Sequence, residues 1–263
     1  MKAVIFTEGG EGSGFGHVLR CSAIKSAFEE AGISVELLVQ GDASVARVLG
    51  RRGYTASAWR EGCAVRSAEG ADIAVIDSYL AGPSVYRAIA SAVRHCIYLD
   101  DNGRIAYPRG TVINYNAYGP AMRYPRRPGM EYLLGPSFAP LRREFLNVPD
   151  RSVRRQVHKA LVLFGGADCA GITVKVLEFL SDSYPGMRKT AVIGAANRGA
   201  DDIIRIGSGN VKLVRGAGPA EMRTLMRDCD IAFTGGGVTL YELARTGTPA
   251  VAFCTAPNQE RNV

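Results

Sequence analysis

Histidine is scarce in this chain, with three copies in 263 residues, and its six cysteines form no C-x-x-C pair. These shortages argue against a zinc centre, because no histidine lies near a cysteine pair and the adjacent His95 and Cys96 have poor ligand geometry. Cys21, Cys63, Cys96, Cys169, Cys229 and Cys254 fall mostly in apolar segments and read as reduced, buried thiols. No apolar run approaches the roughly 18 residues that a membrane span needs. The run after Met1 is too short for a signal peptide, so a cytoplasmic protein is expected. Repeats and low-complexity stretches are missing too.

What is present is ordinary globular material, 47% hydrophobic and 22% charged, enough for one large domain or two small ones. The net charge of +7 suits an anionic small substrate, a membrane surface or nucleic acid. Much of it sits on Arg123, Arg126, Arg127, Arg142, Arg143, Arg151, Arg154 and Arg155. No nucleic-acid motif accompanies these arginines, and they read as a solvated face.

Short apolar runs alternate with helix-like segments. In the first half the runs are Ala3–Phe6, Val35–Val39, Ile73–Ile76, Cys96–Leu99 and Val112–Asn114. Between them lie amphipathic stretches from Leu19 to Ala31, Ala43 to Gly50 and Pro83 to about Val93. From Ala117 to about Arg155 prolines punctuate the chain, and the segment reads as a connection with some short structure. The alternation restarts with Ala160–Phe164, Thr190–Ile193, Val211–Val214, Ile231–Phe233 and Ala250–Phe253. Ile172, Val176, Leu177 and Leu180 mark one helix face; Met222, Leu225, Met226 and Cys229 mark another. Such alternation implies α/β architecture with parallel sheets covered on both faces. We expect two Rossmann-like lobes, 1–140 and 141–263, facing across a cleft, with ligands beyond the carboxyl ends of the strands.

The chemistry concentrates at strand ends. Gly14-Phe15-Gly16-His17-Val18-Leu19-Arg20 reads as a glycine loop between strand and helix, where a ligand can approach the backbone at a positive helix end. His17 is the side chain there that exchanges a proton near neutral pH. A positive helix end would keep it neutral and fit to act as a general base. A second glycine loop, Gly235-Gly236-Gly237-Val238-Thr239, is neither a G-x-x-x-x-G-K-[ST] phosphate loop nor a full G-x-G-x-x-G. It is either a tight turn or a cradle whose N–H groups and Thr239 hydroxyl hold a diphosphate. Glu242 nearby is either a ribose ligand or a favourable charge in a first helical turn. Gly165, Gly166 and Asp168 follow a strand of the second half, where Asp168 is a helix cap or a ligand. Asp77 and Tyr79 end a strand as either a turn or a site. Asp100 and Asp101 could bind a metal, but no matching set of ligands supports one.

Taken as a set, these stretches resemble the sugar-nucleotide hydrolase family of pseudaminic acid synthesis. That family is related in fold to the glycosyltransferase making the lipid-linked peptidoglycan disaccharide. The resemblance covers nearly the whole chain. Beyond the loops above it includes Val75-Ile76-Asp77-Ser78-Tyr79, Leu99-Asp100-Asp101, Val112-Ile113-Asn114-Tyr115-Asn116, Leu134 to Arg142, Phe164 to Asp168 and Asn258-Gln259. It implies a glycosyltransferase-B-like fold and hydrolysis of UDP-2,4-diacetamido-2,4,6-trideoxy-β-L-altropyranose with inversion, without metal or cofactor. By that resemblance His17, Tyr79 and Asp77 are catalytic. Gly14, Gly16, Arg20, Gly165, Gly166, Asp168, Gly236, Gly237, Val238, Thr239, Glu242, Asn258 and Gln259 bind the UDP-sugar.

The chain departs from the family pattern in three places. Thr7-Glu8-Gly9-Gly10 stands where the family often has an arginine and an aspartate. Ser78 stands where it commonly has a histidine. The chain stops at Val263, where relatives usually continue through a final helix, which leaves truncation open. The expected partner is a small UDP-sugar, with no nucleic acid and no integral membrane segment, and the favoured state is a monomer. A glycosyltransferase with the same donor half would pass the sugar to an acceptor. A non-catalytic nucleotide-sugar binding protein would hold UDP without turnover, and fold alone does not separate these.

Overall fold

The computed structural model describes residues 1–166, 168, 171–194 and 210–263. Ala167 and Cys169, which figured in the sequence reading, lie outside the described residues. The chain divides into two compact units, Met1–Pro140 and Leu141–Val263.

The first unit is built on seven parallel strands. They are β1 (Lys2–Gly9), β2 (Ser34–Gly41), β3 (Thr55–Ala56), β4 (Ile73–Asp77), β5 (His95–Leu99), β6 (Gly110–Asn114) and β7 (Met130–Leu134). Their spatial order is β3-β2-β1-β4-β5-β6-β7. Helices α1 (Gly16–Glu30), α2 (Val45–Leu49), α3 (Ala64–Ala68) and α4 (Pro83–Ala92) connect them. After Lys2, β1 is buried along its whole length, as a central parallel strand covered on both faces must be. Phe6, Trp59, Tyr86, Ile89, Tyr98 and Val112 form the core against one face. Trp59 also donates its indole N–H to the Thr7 carbonyl at 2.9 Å, tying a short 3₁₀ turn to β1. The chain starts at β1, steps outward to β3, then returns to β4 on the other side. The sheet therefore reverses its strand order between β1 and β4, where Thr7 pairs with Asp77. An open parallel sheet offers its ligand crevice at such a reversal.

The second unit repeats the plan with β8 (Lys159–Leu163), β9 (Arg188–Ile193), β10 (Val211–Arg215), β11 (Ile231–Gly235) and β12 (Ala250–Phe253). Their order is β10-β9-β8-β11-β12, all parallel, with the reversal between β8 and β11. Along β8, Ala160 and Val162 enter one core and Leu161 and Leu163 the other. That period of two explains why a strand covered on both faces reads as an unbroken apolar run. Helix α5 (Ile172–Ser183) buries Thr173, Val176, Leu177 and Leu180. Helices α6 (Pro219–Asp228) and α7 (Thr239–Arg245) follow.

Three sequence readings need correction. The proline-rich connection contains β7, an edge strand paired in register with β6 from Gly110–Met130 to Asn114–Leu134. Its Met-Glu-Tyr-Leu-Leu run is only partly buried and shows no alternation, which hid it. Strand β3 and helix α3 were not anticipated, being two and five residues long. Among the described cysteines Cys21, Cys96 and Cys229 are buried free thiols, but Cys63 is intermediate and Cys254 exposed. No helix among the described residues is long and apolar enough to cross a membrane.

Candidate functional site

In the first unit the strand-order reversal carries a polar cluster. The loop after β1 closes on itself through an antiparallel bridge, Gly10 N–H to Gly14 O at 3.1 Å and Gly14 N–H to Gly10 O at 2.8 Å. Gly14 has φ of 78°, the left-handed region that favours glycine. A Cβ on Gly9 would lie 2.5 Å from a Val18 methyl, so the glycine lets α1 sit directly against β1. The face α1 buries is polar as well as apolar, with His17 and Arg20 beside Val18, Cys21 and Ala23. Residues three apart share a helix face, so both side chains reach β4 together.

His17 Nδ1 lies 2.6 Å from Asp77 Oδ1, and Asp77 is fully buried. Burial alone would push the Asp77 carboxyl up, but Arg20, and after it His17, holds it well below the usual carboxylate range. An ionised Asp77 only accepts, so the hydrogen between them sits on Nδ1, and in the neutral ring the lone pair is then on Nε2. Arg20 is fully committed inside the protein. It donates from Nε to Asp77 Oδ2 and from Nη2 to Asp77 Oδ1, each at 2.6 Å. From Nη1 it donates to Asp101 Oδ2 at 3.0 Å and to the Tyr115 hydroxyl at 2.8 Å. Burial opposes its charge, but Asp101 and Asp77 raise its pKa well above the ordinary value. Arg20, read in the sequence as a nucleotide ligand, is thus an interior bridge between two carboxylates.

Tyr79 stands edge-on to His17, ring centres 4.4 Å apart at 88°, and its hydroxyl donates to Asp101 Oδ2. Glu8 places Tyr79. It accepts from the Ser78 hydroxyl at 2.6 Å and from the Tyr79 and Leu80 N–H groups at 2.8 and 3.1 Å. Glu8 and Ser78, which belong to two of the three departures noted in the sequence, are therefore bonded to each other. A pocket of about 340 Å³ opens beside the loop, lined by Glu8, Gly12, Ser13, Asp42, Arg60 and Leu80 among others. Asp100 and Asp101 spend their oxygens internally. Asp100 caps Gly103 N–H at 2.9 Å and takes the Tyr124 hydroxyl at 2.6 Å.

In the second unit both glycine pairs sit at the corresponding reversal. Asp168, at φ of 43°, accepts from Ile172 N–H at 3.0 Å and Thr173 N–H at 2.9 Å. Of the two roles left open by sequence, the structure shows it capping α5. Gly165 and Gly166 follow β8, and a Cβ on Gly194 would lie 2.4 Å from the Gly166 carbonyl. In the loop after β11, Gln259 Oε1 accepts from Gly236 N–H at 2.9 Å and from Thr255 N–H and Oγ1 at 3.0 and 2.9 Å. Asn262 donates to the Gly236 carbonyl at 3.1 Å. Gln259, expected to touch substrate, is thus a brace of the loop, while Asn258 is exposed. Around Gly237 a Cβ would meet nothing within 4 Å, so the loop is open there, just before Val238 and Thr239. Glu242, 3% exposed, takes a two-pronged contact from Arg142, Nε to Oε1 at 2.6 Å and Nη2 to Oε2 at 2.8 Å. Burial raises its pKa and Arg142 only partly offsets that. The residue that the sequence reading assigned to a ribose is here engaged in an ion pair with Arg142.

Sequence reasoning missed Glu8, Asp101 as a partner of Tyr79, Arg142 and Asn262. Glu8 and Asp101 carried only the signal of a charged residue at a strand end, which is common to many turns, and Arg142 and Asn262 stand well past the ends of β7 and β12.

No protein-family model matches the chain. It is 23% identical over 250 residues to a Helicobacter pylori protein named pseudaminic acid cytidylyltransferase and UDP-2,4-diacetamido-2,4,6-trideoxy-beta-L-altropyranose hydrolase. The match covers 94% of this chain and 43% of that relative, so the chain spans less than half of its length. Among solved structures, MurG of Acinetobacter baumannii aligns with a TM-score of 0.61 at 13% identity, over 100% of this chain and 82% of that one. HepE of Anabaena in complex with UDP-glucose aligns with a TM-score of 0.55 at 14% identity, over 95% and 80%. At such identities the solved structures show the fold, which is of the glycosyltransferase-B class.

Proposed function

We propose that the chain hydrolyses a UDP-linked 2,4-diacetamido-2,4,6-trideoxy sugar at its anomeric carbon, inverting the configuration. The observation that carries this reading is the buried His17–Asp77 pair at the β1–β4 reversal. His17 Nε2 takes one proton from water as the oxygen attacks the anomeric carbon. The carbon–oxygen bond to the diphosphate breaks, and its electron pair leaves with UDP. Asp77 holds the ring in the tautomer this needs and stabilises the imidazolium that forms, the logic of an oriented histidine base. Gly14 and Gly16 keep side chains out of the way at the start of α1. In the second unit the N–H groups of Gly237 and Val238, with the Thr239 hydroxyl, are assigned to the diphosphate, with Gly165, Gly166, Gly236 and Asn258 as further contacts. The step as written uses no metal. The hydrolase named in the H. pylori relative and the UDP-glucose bound by HepE support the substrate class.

The test is UDP release from that nucleotide sugar by wild type and His17→Ala, with no acceptor added. Release that falls at least roughly 10²-fold in the variant is the expected result. UDP binding without release, or release unchanged in His17→Ala, overturns it. A glycosyltransferase is the second reading, favoured by the 340 Å³ pocket beside the glycine loop, which lies within the usual size range of ligand sites. Turnover that appears only with an added sugar acceptor would select it.

A further inference from the structure

Tyr79 meets His17 through its ring, but its hydroxyl points to a different carboxylate. Asp101 is 4% exposed and lies at the end of β5, on the far side of β4 from β1. Its Oδ1 accepts from Asn116 Nδ2 at 2.8 Å, and its Oδ2 accepts from Arg20 Nη1 at 3.0 Å and from the Tyr79 hydroxyl. Every neighbour in that set is a donor, so the group they surround is a carboxylate, and the proton between Asp101 and Tyr79 belongs to the phenol. Asp77 is not the partner of this phenol. Its two oxygens receive His17 Nδ1, Arg20 Nε, Arg20 Nη2 and the Cys21 thiol. Arg20 lies between the two carboxylates and fixes both at once, one aimed at the imidazole and one at the phenol. Burial works against charge on Asp101, but Arg20, followed by the Tyr79 hydrogen bond, holds its pKa below the ordinary value.

We infer that Asp101 is a positioning residue that acts through Tyr79, directing the phenol proton away from the reacting centre so that Tyr79 accepts a hydrogen bond from the attacking water. This rests on the hydrolase reading above. Water then has two acceptors. One hydrogen goes to His17 Nε2 and is transferred. The other rests on Tyr79 Oη, is not transferred, and remains on the oxygen that becomes the sugar hydroxyl. The oxygen lone pair that attacks is thereby aimed by two contacts. Arg20 is a positioning residue in the same sense, holding Asp101 and Asp77 in fixed relation.

The experiment is a double-mutant cycle on Asp101→Asn and Tyr79→Phe, read by kcat and KM for UDP release, together with proton NMR of the ligand-free protein. Each single variant should lose about tenfold or more in kcat, the scale of one hydrogen bond to a charged group, with KM unchanged. The double variant should lose no more than either single one. A merely structural Asp101 would give multiplying losses or a raised KM, and either result overturns the inference. In the NMR arm, the wild type should show a slowly exchanging downfield hydroxyl resonance that Tyr79→Phe abolishes and His17→Ala retains. Its absence from the wild type refutes the contact itself, without reference to any substrate and without needing Asp101→Asn to fold. A wild type that shows the resonance but releases no UDP instead refutes the hydrolase reading, and with it the water-aiming role.

Discussion

Replacing Asp77 by asparagine keeps the size of a fully buried side chain but removes a charge that three donors converge on within 2.6 Å. The amide can still accept one of these bonds, and Arg20 keeps Asp101. The loss is therefore below three separate charge-assisted bonds. Removing one partner of a buried ion pair costs about 3–5 kcal/mol, and we expect the first unit to be destabilised by that amount. The effect should depend on pH in a defined direction. The folded Asp77 carboxyl titrates well below its unfolded value of about 3.9, so its stabilisation is present in full above that value. It is lost progressively as the pH falls toward the folded pKa. The gap between wild type and Asp77→Asn should thus be largest at pH 7 and start closing below about pH 4. Denaturant unfolding, followed by the fluorescence of Trp59 in the first-unit core, measures it at each pH. Asparagine can also offer its N–H₂ to His17 and so favour the other tautomer, so UDP release should fall by roughly 10²–10⁴, the range a general base supplies. A variant within 1 kcal/mol of wild type at pH 7, or a gap that widens in acid, would refute the reasoning.

Three further outcomes are expected in the second unit. Arg142→Ala leaves the Glu242 carboxylate buried without its partner, costing about 3–5 kcal/mol at pH 7. Burial already raises the Glu242 pKa, so this variant should regain stability as the pH is lowered toward the unfolded Glu value of about 4.3, read by thermal melts at pH 7 and pH 5. Gly236→Ala places a Cβ 2.7 Å from a Val263 methyl and 3.0 Å from Gln259 Cβ, and should destabilise by about 1–3 kcal/mol, whereas Gly237→Ala meets nothing and should leave stability almost unchanged while weakening UDP binding in calorimetry. Asp168→Ala removes two N–H acceptors at the start of α5 and should cost about 1 kcal/mol without changing UDP affinity.

Local chemistry in the sequence was enough to determine the two rounds of strand and helix, the apolar runs of β1, β4 and β8, and the glycine loops after β1 and β11. These signals survive in one dimension because each depends on the burial period or backbone freedom of a few neighbouring residues. Edge strands β3 and β7 lacked that signal because half-exposed strands need no continuous apolar run. His17, Asp77 and Tyr79 were recognisable singly, as reactive side chains at strand ends. Their relation was not, since His17 and Asp77 are 60 residues apart and Arg142 and Glu242 are 100 apart. Only the return of the chain to place β4 beside β1 brings Asp77 under α1. Only burial then turns Arg20 inward, and Glu242 toward Arg142. A polar side chain in the interior must find its partner wherever the sheet order delivers one, and sheet order is a property of the folded chain rather than of any stretch within it.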